Sequence, residues 1–267
     1  MLLLTLLAGI LNLSPAAPGR CTLLADSTGK VLLEEGDCAE ATTPASTFKV
    51  ALCLMGADAG LLTGPRSPSW PYRDSFPAAL PSHRAATDPA RWMMESVVWY
   101  SQELTRSPGM PRFRAYVDSF GYGNRALTGD GKGNGLVQAW LSSSLKVTPR
   151  QQLEFLTKVR GHRLGFATRA YALLDSVMPH TPGPEDWTVA GKTGSGAPKD
   201  SAGKAIPGRS VGWYVGWLER GGKAPLLFVH RELDLAPPGS FGGPSARQSF
   251  LAELPHRLAL LESQAKP

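Results

Sequence analysis

The sequence has few of the features that mark nucleic-acid-binding or metal-binding proteins. Its net charge is only +6, from 28 Lys+Arg against 22 Asp+Glu, and the basic residues form no run, which does not indicate nucleic-acid binding. The five histidines are scattered, and none has a His-x-His or His-Glu-x-x-His spacing, so no metal site is predicted. With no internal repeat, the 267 residues at 42% hydrophobic suit one large domain or two small ones.

Long apolar runs are missing after the N-terminus. Residues 2–13 are almost wholly apolar and precede Ser-Pro-Ala-Ala-Pro at 14–18, where small residues suit a cleavage site. Segment 1–17 therefore resembles a secretory signal peptide, although no Lys or Arg precedes its apolar run. The alternative is a buried strand or helix of a cytosolic protein. No later run could span a membrane, so we expect a mature chain, residues 18–267, that is periplasmic and has no membrane span.

Cysteine is rare, with three residues in the chain. Cys21 and Cys38 flank a predicted hairpin over residues 22–34, with its turn at Ser-Thr-Gly, 27–29. Folding at that turn brings the two cysteines together at the open end, which in an exported protein suggests a Cys21–Cys38 disulfide. Cys53 lies in an apolar stretch and is expected to be a core residue.

Polar residues are almost absent from residues 50–55, which follow Ser46 and Lys49. A stretch that is apolar nearly all round predicts a buried helix, and residues three apart share a helix face. Loss of hydration lowers the pKa of a buried lysine, and its neutral amine can take the proton of a serine nucleophile. The alternative is a Ser46 N-cap beside a solvated Lys49. Ser-x-x-Lys occurs elsewhere in the chain, but only this copy opens a buried helix.

The remaining pattern predicts two strands first, helices in the middle and three strands last. We expect helices over 91–106, 112–120, 149–160 and 245–261, and strands over 187–193, 210–218 and 225–233. The economical arrangement is an α+β fold whose single antiparallel sheet is built from both chain ends. The sheet lobe would take residues of about 18–45 and 186–267, and an inserted helical lobe about 46–185. A cleft between the lobes would hold Ser46 on one side and Lys192 on the other.

Several short motifs, each common by chance, occur here in a specific order. They are Ser-Thr-Phe-Lys at 46–49, Ser-Val-Val at 96–98, Tyr-Gly-Asn at 122–124, Lys-Thr-Gly at 192–194 and Gly-Trp-Tyr-Val-Gly-Trp at 212–217. Together they resemble the class D serine β-lactamases over nearly the whole mature chain. Val98 separates the sequence from class A enzymes and penicillin-binding proteins, which carry asparagine in the second motif. The resemblance implies a serine β-lactamase/transpeptidase-like fold.

The resemblance also implies a mechanism. Ser46 would attack the β-lactam carbonyl and form an acyl-enzyme, and Lys49 would carry a carbamate made from carbon dioxide. An apolar pocket supplies the neutral amine that carbamate formation needs. The carbamate would be the general base for acylation and deacylation. Beyond the small-molecule β-lactam substrate, carbon dioxide or bicarbonate would therefore be needed, with no bound cofactor.

The resemblance assigns roles to further residues. These are Ser96 as proton relay to the leaving nitrogen; Lys192, Thr193, Gly194 and Arg247 for substrate binding; the backbone N–H groups of Ser46 and Ser195 for the oxyanion hole; Val98, Trp140 and Leu141 for the carbamate pocket; and Tyr122 and Asn124 for shaping the cleft. Without the resemblance, Ser96 is interpreted as a helix-buried hydroxyl, Trp140 as a core residue and Arg247 as a solvated helix-start residue.

Two departures leave the substrate spectrum open. Leu141-Ser142-Ser143 stands where many relatives have an acidic residue and glycine, and the loop over 195–209 is long. Oligomeric state is also open. The competing interpretations are a β-lactam sensor domain that acylates without turnover, a penicillin-binding protein, and an exported binding protein without chemistry. Sensor domains are normally tethered to a membrane-spanning transducer. Val98 and the compact size argue against a penicillin-binding protein.

Overall fold

The structure is a computed structural model that describes residues 11–12, 18–197, 204–237 and 240–264. The strands are β1 (Leu11–Asn12), β2 (Arg20–Ala25), β3 (Val31–Gly36), β4 (His180–Pro182), β5 (Thr188–Gly196), β6 (Val211–Glu219) and β7 (Leu226–Leu233). The α-helices are α1 (Lys49–Asp58), α2 (Pro89–Glu95), α3 (Val98–Arg106), α4 (Gly109–Phe120), α5 (Gly135–Gln138), α6 (Pro149–Arg160), α7 (Thr168–Val177) and α8 (Gly242–Gln264). Short 3-10 helices cover Ala45–Phe48 and Pro81–His83. Apart from β1, the predicted signal peptide, residues 1–17, lies outside the described residues.

One sheet contains strands from both ends of the chain, in the order β1-β3-β2-β7-β6-β5-β4. Every pairing is antiparallel except that of β1 with β3. Because side chains alternate along a strand, Leu23 packs into the large core beneath the helices, whereas Leu24 packs into a smaller core beneath α8. The predicted α+β fold with a helical region inserted between sheet strands is confirmed.

The predicted helix over 91–106 is wrong as one element. It is broken at Ser96, which takes a left-handed conformation with φ 59°, and at Val97, whose ψ is 114°. The break was invisible because buried apolar residues continue on both sides of it, at Trp92 and Met93 before and Tyr100 after. A regular apolar spacing therefore does not prove a continuous helix.

Strands β1 and β4 and helices α5 and α7 were not predicted, and helix α4 begins earlier than predicted. Strand β4 at the sheet edge has three residues and ends on Pro182, which an edge position tolerates because no sheet hydrogen bond is lost. The sheet lobe thus starts again at His180, before the predicted return at about residue 186. Helix α4 begins at Gly109 instead of residue 112, because Pro111 is tolerated in a first helical turn.

The described part of the chain contains one disulfide, between Cys21 on β2 and Cys38 just after β3, with a Cα–Cα distance of 5.1 Å. Cys53 is a free, fully buried residue of α1, and burial raises the pKa of its thiol. Within the described residues, no helix combines the length and the apolar character needed to cross a membrane.

Candidate active site

Ser46 lies on a tight 3-10 turn that leads directly into α1. The sequence predicted Ser46 in the first turn of the α-helix itself, but that helix begins at Lys49. Ala45, which precedes it, has φ 48°, a left-handed conformation that costs an alanine about 1–2 kcal/mol. Side chains on either side hold the turn. Thr47 Oγ1 donates to Pro44 O at 2.6 Å, and Thr43 Oγ1 donates to the Trp140 carbonyl at 2.8 Å. Ser46 is partly exposed and faces a cleft.

Lys49 is fully buried at the start of α1. Its Nζ lies 2.9 Å from Ser101 Oγ and 5.8 Å from the centre of the Trp92 ring. Burial, followed by the charge of nearby Lys192, holds the pKa of Lys49 well below its usual value. Within the described residues, no hydrogen bond joins Lys49 to Ser46. Burial therefore disfavours the protonated form of the Lys49 amine, which points towards Ser101 on α3.

Ser101 and Trp92 are site neighbours that the sequence argument missed. Both are fully buried, and Trp92 Nε1 donates to Ser101 Oγ at 2.8 Å. The only available signal was weak: Ser101 follows Val98 by one helical turn, so the two share a face of α3. Nothing in the spacing indicates that α2 would bring a tryptophan to the same point.

Lys192 on β5 joins the sheet side of the cleft to the helical side. Only 1% of its surface is exposed, and its Nζ donates to Ser96 Oγ and, at 2.9 Å, to the carbonyl of Thr193. Burial lowers the pKa of Lys192 to about 7. The second and fourth sequence motifs, 96 residues apart in the chain, are thus in direct contact.

Gly194 allows β5 to approach the Ser46 turn. A Cβ at this position would lie 3.0 Å from Pro44 O and 3.0 Å from Thr47 Cγ2, closer than most real contacts. The next residue, Ser195, faces the cleft, and its Oγ accepts a hydrogen bond from the Gly243 amide at 2.9 Å. The backbones of Ser46 and Ser195 are therefore neighbours on facing segments.

The cleft has a volume of about 360 Å³. Of the predicted site residues, those that line it are Ser46, Ser96, Val98, Thr193 and Ser195. Its rim also carries three large apolar side chains that sequence reasoning missed: Leu80, Met94 and Phe241 are 41%, 63% and 52% exposed. Exposed apolar surface around a cleft is typical of a ligand-binding site.

Trp140 lies behind the cleft and is fully buried. Its ring stacks on that of Phe48, the neighbour of Lys49 in the chain, with ring centres 5.6 Å apart. Within the described residues its Nε1 has no hydrogen-bond partner. A buried N–H without a partner costs about 1–3 kcal/mol, so this one is available to an acceptor. Leu141 is partly buried and packs against the large core.

Tyr122 and Asn124 support the cleft from behind and do not line it. The Tyr122 hydroxyl donates to Gln152 Oε1 at 2.7 Å, and its ring packs edge-on against Phe48. Asn124 Nδ2 donates to the carbonyl of Ser144 at 2.9 Å. Their contacts hold the segments on either side of Trp140 in place.

Arg247 is not among the residues that line the cleft. It is exposed near the start of α8, and its guanidinium donates to Thr181 Oγ1 of β4 at 2.8 Å. The structure thus places it where the alternative interpretation, a solvated helix-start arginine, put it. Of the predicted carboxylate-binding side chains, Lys192 and Thr193 are at the site. In the part of the chain that the structure describes, no cluster of three or more His, Cys, Asp or Glu side chains could hold a metal.

Comparison with known proteins agrees with this geometry. Residues 19–254 match the family model of the penicillin binding protein transpeptidase domain. Beta-lactamase OXA-9 of Klebsiella pneumoniae is 42% identical over 242 residues, covering 88% of this chain and 87% of the relative. Beta-lactamase OXA-1 of Escherichia coli is 33% identical over 202 residues, covering 74% of this chain and 70% of the relative.

Solved structures show the same likeness. The crystal structure of the OXA-427 class D β-lactamase matches with a TM-score of 0.84 and 41% identity, covering 91% of this chain and 99% of that one. The C-terminal domain of the Bacillus licheniformis BlaR penicillin receptor matches with a TM-score of 0.75 at 21% identity over 90% of this chain and 91% of that one, a likeness of fold alone. From its motifs, its fold and these relatives, the chain belongs to the class D serine β-lactamases, which have the penicillin-binding transpeptidase fold.

Proposed function

We propose that this protein hydrolyses β-lactam antibiotics through an acyl-enzyme on Ser46, with N-carboxylated Lys49 as the general base. Membership of the class D β-lactamases supports the reaction class. The apolar segment 2–13 supports export to the periplasm, where such a substrate would be met.

In the acylation step, Ser46 Oγ attacks the carbonyl carbon of the β-lactam ring, and its proton passes to carboxylated Lys49. The ring C–N bond then breaks, and the proton returns through Ser96 to the ring nitrogen, leaving an ester on Ser46. In deacylation, a water molecule attacks the ester carbonyl and loses its proton to Lys49. That proton returns to Ser46 as the ester bond breaks, so the net reaction is ring opening by one water.

The observation that carries the base assignment is the position of the Lys49 amine. Its Nζ bonds Ser101 on α3, and no described hydrogen bond joins it to Ser46, so a base that extends beyond the amine is favoured. Carbamate formation needs a neutral amine, which attacks carbon dioxide and releases a proton. Full burial and the lowered pKa of Lys49 supply that form.

The surroundings of Lys49 fit the added carboxyl group. The carboxyl group would supply an anionic oxygen base, and the unpartnered N–H of Trp140 would donate a hydrogen bond to such an oxygen. Lys192 and Thr193 would bind the carboxylate of the substrate, without help from Arg247. The backbone N–H groups of Ser46 and Ser195 would stabilise the oxyanion.

Hydrolysis of a penicillin by the purified protein, followed to completion with and without added bicarbonate, tests this proposal. We expect many turnovers, faster with bicarbonate after the protein has been freed of carbon dioxide. Consumption of one equivalent of penicillin with no further turnover would instead indicate a sensor or a transpeptidase. Turnover by carbon-dioxide-free protein at the full rate would contradict the carboxylated base.

The variant Lys49→Ala separates the base from the nucleophile. Because a general base contributes roughly 10²–10⁴-fold, we expect a loss of turnover of that order in a protein that remains folded. Circular dichroism would establish the fold. A folded variant that keeps near wild-type hydrolysis would refute the assignment of Lys49.

A further inference from the structure

Two nitrogen atoms of described side chains lie within hydrogen-bond distance of the hydroxyl oxygen of Ser101. Trp92 Nε1 lies 2.8 Å from Ser101 Oγ, and Lys49 Nζ lies 2.9 Å from the same atom. All three side chains are fully buried, on α2, α3 and α1. Their contacts join three helices through polar atoms of side chains.

The direction of one of these bonds is fixed by chemistry. An indole nitrogen can only donate, so Ser101 Oγ must accept from Trp92. An ammonium group can also only donate. If Lys49 were protonated, Ser101 Oγ would accept twice, and its own hydroxyl hydrogen would have no acceptor among the described residues. A buried donor without a partner is costly, which sets this arrangement against the protonated lysine.

The conflict disappears when Lys49 is neutral or carboxylated. A neutral amine offers a lone pair, and a carboxylated one offers anionic oxygens, so Ser101 can then donate its hydrogen. Its oxygen remains bonded to Trp92, so the hydroxyl of Ser101 both donates and accepts a hydrogen bond. The geometry points to Ser101, oriented by Trp92, as a positioning residue that donates a hydrogen bond to Lys49 and favours its carboxylation.

This inference rests on the proposed carboxylation and adds a second donor to it. Trp140, which stacks on Phe48, would donate one hydrogen bond to the carbamate. Ser101, which is oriented by Trp92, would donate the second. A second donor adds a second hydrogen bond to the anionic group. Each such charge-assisted bond is roughly twice as strong as a neutral one, so two donors should bind the carbamate more tightly than one. Loss of the Ser101 hydroxyl should therefore lower the fraction of Lys49 that is carboxylated at a given carbon dioxide concentration, while the nucleophile Ser46 remains.

The test is ¹³C NMR of the full-length protein titrated with ¹³C-bicarbonate, read as the intensity of the lysine carbamate signal. We expect Ser101→Ala to need at least tenfold more bicarbonate than the wild type for half occupancy. Ser101→Thr, which keeps the hydroxyl, should restore most of the wild-type affinity. Trp92→Phe, which removes the orienting N–H and keeps a smaller aromatic ring, should shift occupancy in the same direction by a smaller factor.

Thr105→Val is the matched control, because Thr105 is a buried hydroxyl on the same helix, one turn after Ser101, bonded to the carbonyl of Gln102. It should leave carbamate occupancy unchanged. An unchanged half-occupancy in folded Ser101→Ala would overturn the role of Ser101 while leaving the carbamate proposal intact. A wild-type protein without any carbamate signal would overturn the carboxylation itself, and the inference about Ser101 with it.

Discussion

Trp140 is a buried donor that has no acceptor in the described residues, and its function is best tested by a substitution that keeps an aromatic ring. Trp140→Phe keeps an aromatic ring against Phe48 and removes the indole N–H. A hydrogen bond to a charged group contributes about 1.5–3 kcal/mol, so we expect deacylation to slow roughly tenfold to hundredfold. Mass spectrometry during turnover should then show accumulated acyl-enzyme.

Trp187→Phe provides the comparison for that experiment. Trp187 is also a buried tryptophan whose Nε1 has no partner among the described residues, but it belongs to the smaller core beneath α8. Its substitution should leave deacylation unchanged. If Trp140→Phe shows no acyl-enzyme adduct, the indole is a packing residue and the carbamate is held by other groups.

Burial of Lys192 should make kcat/KM depend on pH near neutrality. Its pKa is lowered to about 7, and only its protonated form attracts the carboxylate of a substrate. We expect kcat/KM to fall as pH rises above about 7, because kcat/KM reports the free enzyme. In the complex the bound carboxylate favours the charged lysine, so kcat should fall only at higher pH.

Lys192→Arg tests this assignment through the shape of the pH profile. Arginine stays charged throughout this range, so the fall of kcat/KM above neutrality should disappear even if the maximal rate is lower. Steady-state kinetics between pH 5 and 9.5 on one penicillin suffices. An alkaline fall that persists in Lys192→Arg would belong to another group.

At the scale of elements, the close approach of β5 to the Ser46 turn depends on Gly194. In Gly194→Ala the new methyl group meets Pro44 O and Thr47 Cγ2, so the strand or the turn must shift by a few tenths of an ångström. The oxyanion donors lie on these two segments, and misplacement of reacting groups is expensive, so we expect acylation to slow roughly tenfold or more. Stopped-flow acylation rates would measure this.

Gly221→Ala is the control for the strand substitution. Gly221 lies between β6 and β7 in the same sheet, and a Cβ there would meet nothing within 4 Å. Acylation by this variant should equal that of the wild type. Equal rates in Gly194→Ala would mean that β5 and the turn can separate without disturbing the oxyanion donors.

The elements also show where prediction from sequence ends. Short motifs that are contiguous in the chain singled out Ser46, Ser96 and Lys192, and strand-like segments at both ends of the chain predicted the sheet. Contacts between segments far apart in sequence left no such trace. The bond from Trp92 to Ser101 depends on how α2 packs beside α3, and the left-handed turn at Ser96 that sets this packing interrupts no apolar pattern. Arg247 was assigned from its position before the last helix, and position alone does not determine where a long side chain points.

The whole molecule should be most stable at moderately alkaline pH. Between about 7 and 10.5 the unfolded chain keeps a proton on Lys192 that the folded protein has lost, so the free energy of unfolding rises with pH. The pKa of buried Lys49 is lowered as well and acts in the same direction. Above pH 10 the sign reverses, because burial raises the pKa of Tyr116 to about 12 and that of Tyr122 further. The unfolded chain then releases phenol protons that the folded protein retains.

Urea unfolding of the wild type between pH 6 and 11, in carbon-dioxide-free buffer, should therefore show a maximum between about pH 9 and 10. Each buried lysine contributes a slope of at most about 1.4 kcal/mol per pH unit to the rising side. Lys192→Met removes one of these groups and should make that side shallower while leaving the fall above pH 10 in place. A stability maximum near neutrality, unchanged in Lys192→Met, would mean that Lys192 keeps its proton in the folded protein. The fall of kcat/KM at alkaline pH would then have to come from the titration of another group.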